Sequence, residues 1–77
     1  MPYNIELAAE LNILTQFSLQ TTHEGLKVHS TAEPMAVAAA RRLFEKGITT
    51  QPDGGYLTEI GRAAAEHTQN LLLLLKG

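Results

Sequence analysis

The sequence predicts a mainly α domain with one small two-stranded β-hairpin, and three features of the chain lead there. Residues 43–66, LFEKGITTQPDGGYLTEIGRAAAE, run from the end of one helix through a tight turn into the start of another. Apolar residues recur at helical spacing near the start, in the middle and at the end of the chain. Ser or Thr stands three residues before Glu at Thr21–Glu24 and again at Ser30–Glu33, the spacing of a helix-starting capping box.

The first helix is expected from about Asn4 to Gln16. Asn4 suits an N-cap, and Glu6 places an acid where the helix dipole favours it. Leu7, Leu11 and Leu14 define one face, extended by Ala8 and Phe17, and leave Glu6, Glu10 and Asn12 mostly elsewhere. Gln20–His29 admits two readings. The capping box favours a short helix, whereas Gly25 weakens it and Leu26-Lys27-Val28 alternates as a half-buried strand would; the helix is the preferred reading. A longer helix follows from about Glu33 to Lys46, with Pro34 in its first turn, the one place a helix accepts it. Its apolar stripe is Val37, Ala40, Leu43 and Phe44.

Lys46 and Gly47 close that helix. Ile48, Thr49 and Thr50 are β-branched and favour a strand, Pro52-Asp53-Gly54-Gly55 supplies the turn, and Tyr56 and Leu57 return as the second strand. Thr58 then caps a last helix to about Leu75, with Ile60, Ala64, His67, Leu71 and Leu74 on one stripe. Ile48, Leu57 and Ile60 are the expected inward contacts, and Gly61 is expected to allow close approach of the hairpin. The expected order is helix, short helix, turn, helix, hairpin, helix, and its middle part is a helix-turn-helix followed by a wing. Residues 1–77 form a single domain of this type.

Composition narrows the function. A domain of 77 residues buries roughly 60–65% of its unfolded surface, so its stability is expected to be marginal. The chain has no cysteine, which leaves self-association as the available supplement and fits a reducing compartment. Six Lys and Arg against eight Asp and Glu argue against strong nonspecific binding to nucleic acid. No signal peptide and no membrane-spanning run is visible, so the cytoplasm is the expected location.

If residues 35–46 enter a major groove, the free face carries Met35, Ala38, Ala39, Arg42 and Glu45. Arg42 would then reach a phosphate or a guanine edge, Arg41 and Lys46 would add phosphate contacts, and Lys27 would support them. The alanines suit protein packing better than base reading. The hairpin tip presents Asp53 and no cation, which disfavours a minor-groove contact. Leu71 to Leu75 covers every side of a helical turn, so Leu71, Leu72, Leu74 and Leu75 are expected to form a homodimer interface.

His23, His29 and His67 lack the i, i+4 spacing of a helical zinc site, and His67 is expected as a hydrogen-bonded core residue. No serine sits in a glycine elbow and no carboxylate pair is framed by a cleft-forming sequence. The sequence therefore predicts no enzyme, no metal and no cofactor.

The pattern in residues 43–66, GI then GGYLT then G and AE, resembles the wing and following helix of bacterial winged-helix regulators of the multiple-antibiotic-resistance and phenolic-acid types. Over nearly its whole length, through ELAAELNIL, THEGLKVH, RRLFEKGI and DGGYLTEIGRAAAEH, the chain is similar to a family of short gammaproteobacterial proteins, some labelled DNA-binding proteins or regulators. The resemblance implies a bacterial, cytoplasmic, regulatory protein and carries over no catalytic or ligand residue. Two functions are expected from these readings. The first is a small dimeric protein that binds double-stranded DNA or assists transcription; the alternative is a protein-interaction module, homodimer or adaptor, on the same scaffold without DNA binding.

Overall fold

The computed structural model describes residues 4–19, 25–29 and 31–77. The elements in chain order are α1 (Ile5–Leu14), β1 (Leu26–Lys27), α2 (Pro34–Glu45), β2 (Thr49–Gln51), β3 (Gly54–Leu57) and α3 (Glu59–Lys76). The three strands form one antiparallel sheet in the order β1-β3-β2.

The ends of the helices follow from local chemistry. Asn4 Oδ1 accepts from the Leu7 N–H at 2.8 Å and starts α1. Pro34 opens α2, where its missing donor costs nothing. Glu33 occupies the N-cap of α2 without a side-chain cap, and Ser30 of the expected capping box lies outside the described residues. At the other end of α2 the Ile48 N–H donates to Leu43 O at 2.9 Å and the Gly47 N–H to Phe44 O at 3.0 Å. This pair, with Gly47 at φ 78°, is a Schellman stop. Thr58 Oγ1 accepts from the Gly61 N–H at 3.0 Å to start α3, and its hydroxyl lies 2.5 Å from Gly47 O and 3.1 Å from Ile48 O. One side chain thus ties the end of α2, the entry to β2 and the start of α3.

The sheet has one strand more than the expected hairpin. Residues 25–29, where a helix is the preferred reading, contain no helix: Leu26 and Lys27 form β1, which pairs with β3 through Leu26↔Gly55 and Lys27↔Gly54. Thr21–Glu24, the capping box behind the helical reading, lies outside the described residues. The paired glycines do two things. They turn the chain, with Gly54 at φ 123° and Gly55 at φ 74°. They also leave room for β1, because a Cβ on Gly54 would stand 2.3 Å from Leu26 O. Gly55 and Tyr56 face the single residue Thr50, a bulge between Thr49↔Leu57 and Gln51↔Gly54, and Thr50 Oγ1 accepts from the Tyr56 N–H at 2.9 Å.

The core is Ile13, Leu14, Phe17, Ala39, Ala40, Leu43 and Ala65, with Leu19, Leu26, Val28, Ile48 and Leu57 packed against it. Each helix turns a somewhat different face inward from the one its apolar spacing suggests. In α1 the buried side is Glu10, Ile13 and Leu14, while Leu7 and Leu11 are exposed. In α2 the expected free face is corrected at two positions: Ala39 is completely buried and Arg42 packs toward α1. Phe44, expected inside, is exposed. In α3 the buried residues are Gly61 and Ala65; Ile60 is 68% exposed and His67 is exposed rather than a core residue.

The cause in α3 is the hairpin. A Cβ on Gly61 would lie 1.9 Å from Ile48 O, so backbone meets backbone there and only glycine fits. Once Gly61 is the contact, helical periodicity carries Ala65, Thr68 and Leu72 inward and Ile60 outward. Further along, Gln69 Nε2 donates to Leu14 O at 3.1 Å and Phe17 O at 2.9 Å, and Arg62 Nη2 donates to Leu19 O at 2.6 Å. Gln69 thus satisfies the last carbonyl of α1, and the two side chains together tie α3 to the segment that follows α1.

Candidate functional site

The cations assigned to nucleic acid fall into two environments. Glu10 on α1 has a side chain only 7% exposed. Its carboxylate accepts from Arg42 Nε at 3.0 Å and from Lys46 Nζ. Arg42 also donates from Nη2 to Glu6 O at 3.2 Å, and its Nη1 lies 3.6 Å from Glu6 Oε2. A buried carboxylate is tolerated where cations and hydrogen bonds meet it, and Arg42 and Lys46, one turn apart on α2, supply both. These two cations hold α2 against α1.

Arg41 lies in the other environment. With Lys27 and His29 it lines a half-open cleft of about 660 Å³ between β1, α2 and the hairpin turn. Val28, Val37, Ala40 and Pro52 form the apolar part of its wall. The β1–β3 pairing puts Lys27 opposite Gly54, beside the hairpin turn, and the Val28 N–H donates to Asp53 O at 2.7 Å. Lys27 Nζ stands 4.0 Å from Asp53 Oδ2, a loose and exposed pair worth little. Arg41 is exposed and forms no ion pair among the described residues.

The leucine run forms a third feature. Leu71, Leu73, Leu74 and Leu75 are between 52% and 81% exposed, while Leu72 is half-buried. Leu71 and Leu72, with Ala8 and Leu11 of α1, line a mostly apolar groove of about 340 Å³ that also takes in His67.

Sequence reasoning found Lys27 and Arg41 but did not join them to His29, because their proximity depends on the register of β1 on β3. It also missed Glu10. The available signal was the spacing Glu6, Glu10, Ile13, Phe17, which lies on a single helical face once the frame is moved off Leu7 and Leu11. Among the described residues no group of three His, Asp or Glu side chains could hold a metal ion, and His23 lies outside them. Among those residues no helix is long and apolar enough to cross a membrane.

No curated protein and no solved structure matches the chain. A family profile does match, over residues 1–76, and by it the chain belongs to DUF5669, a family of unknown function.

Proposed function

We propose that the chain is a small non-enzymatic interaction module on a winged-helix-like scaffold, working in the bacterial cytoplasm as a homodimer joined through the C-terminal end of α3. The sheet order β1-β3-β2 and the hairpin between α2 and α3 support the scaffold. The observation that carries the dimer is the exposed leucine end of α3. Leu71, Leu74 and Leu75 follow i, i+3, i+4 and share a stripe, so two copies can lay the same face together about a two-fold axis. Six such leucines across two subunits, at about 1.5–3 kcal/mol each, are of the size needed to offset an association cost of roughly 4–15 kcal/mol and leave a weak, reversible dimer.

Sedimentation at concentrations from about 5 to 200 µM tests this reading. The expected result is a reversible monomer–dimer equilibrium, lost in the double variant Leu74→Glu, Leu75→Glu with the fold intact by circular dichroism. A native chain that stays monomeric across that range sinks the proposal.

Contact with double-stranded DNA is the second reading. It is favoured by Lys27 and Arg41 lying exposed on one cleft beside the hairpin. It is weakened because Arg42 and Lys46 are engaged by Glu10 and because Asp53 sits at the turn. If it holds, Arg41→Gln combined with Lys27→Gln lowers affinity for mixed-sequence duplex and reduces the salt slope by about two. A duplex titration at low salt with no binding at tens of micromolar, or with no effect of the double variant, removes it.

A further inference from the structure

We propose that the cleft between β1, α2 and the hairpin turn binds a small organic anion with an apolar body. The cleft measures about 660 Å³, within the range of roughly 300–1,000 Å³ typical of small-molecule sites. Its charge is unusual for this protein. The chain as a whole carries −2, yet Lys27 and Arg41 meet here, beside His29, against the single acid Asp53.

Arg41 is the key residue. Arg42, Lys46 and Arg62 each face an acid, and Lys27 stands near Asp53, whereas Arg41 forms no ion pair among the described residues. A guanidinium fork without an acid partner, on the wall of a cleft, is suited to bidentate capture of a carboxylate. The apolar surface of Val28, Val37, Ala40 and Pro52 beside it sets the rest of the ligand's chemistry. A bare phosphate would leave that surface wet, and a duplex backbone would meet Asp53 in a concavity of small-molecule size. An aromatic or branched aliphatic carboxylate satisfies both halves of the wall. The site shares no residue with the leucine end of α3, so it stands or falls independently of self-association.

The experiment is a titration of the ¹⁵N-labelled full chain with benzoate, with benzyl alcohol as the uncharged counterpart, with inorganic phosphate, and with a short DNA duplex. Benzoate is expected to give saturable shifts centred on Val28, His29, Arg41 and Gln51. Benzyl alcohol and phosphate should bind weaker by about tenfold, and Arg41→Gln should weaken benzoate by about tenfold. Because Arg41 is exposed, unchanged resonances in α1 and α3 will show that the variant is folded. Absence of saturable shifts at these residues, equal binding by phosphate, an unaffected Arg41→Gln, or tighter engagement of the same residues by the duplex would each overturn the proposal.

Discussion

Gly61→Ala is expected to lower the melting temperature by about 10 °C or more, the opposite of the usual effect of replacing a helical glycine. In an exposed helix interior the change stabilises by up to about 1 kcal/mol. Here the new methyl would stand 1.9 Å from Ile48 O and 2.9 Å from the Ile48 carbonyl carbon. These are backbone atoms held by the Thr58 N–H and the Thr58 hydroxyl, so no side chain can swing aside. α3 must move away from the hairpin, and overpacking of this kind costs about 1–3 kcal/mol or more, with each kcal/mol worth roughly 4–8 °C in a domain of this size. Thermal unfolding followed by circular dichroism measures it. Gly47→Ala is the control: its added Cβ meets nothing within 4 Å, so only the positive φ of 78° opposes it. That loss should be about 1–2 kcal/mol. If Gly61→Ala proves no worse than Gly47→Ala, the close approach of α3 to the hairpin is not a determinant of stability.

Glu10→Ala is expected to cost about 2–4 kcal/mol, measured by urea unfolding. The substitution empties a buried position and removes the acceptor for Arg42 and Lys46 together. The loss stays short of the largest values for broken buried pairs because Arg42 and Lys46 are partly exposed and can turn to water. Arg42→Ala should not add to it: in a double-mutant cycle the two changes should couple by about 1 kcal/mol or more. Strict additivity would show that the carboxylate and the guanidinium do not depend on one another. Glu10→Gln keeps the volume, removes the charge that holds both cations, and also separates the two functional readings. If duplex DNA uses α2, freeing Arg42 and Lys46 should tighten binding; if the chain is purely an interaction module, DNA binding stays absent while dimerisation is unchanged.

Most of the local structure was legible in the chain. Asn4, Pro34, Gly47 and Thr58 mark helix ends through bonds spanning a single turn, and each stands at or beside the end it was expected to mark. Gly54 and Gly55 announced the turn because positive φ is open to glycine and costly for most residues. The candidate sites were less legible. Arg41 and Arg42 are neighbours in sequence, yet one lines an open cleft and the other clasps a buried acid on α1. No periodicity within α2 distinguishes them, because the difference lies in what the opposite element presents.

The β1 strand shows the same division. Leu26-Lys27-Val28 has a strand's alternation and a helix's capping signal upstream, and local preference is too weak to choose between them. The glycine pair in β3 decides, since it leaves open backbone along which a third strand can lie. Caps, turns and element types were thus written into the residues themselves, since they depend on interactions within about four positions. Which face of each helix is buried, where Glu10 finds its cations, and how Lys27, His29 and Arg41 come to share a cleft were decided only by the packing of α1, α2, α3 and the sheet. Those outcomes depend on contacts between residues distant in sequence, and a small shift of the buried face, such as the one imposed by Gly61, reassigns every side chain along the helix.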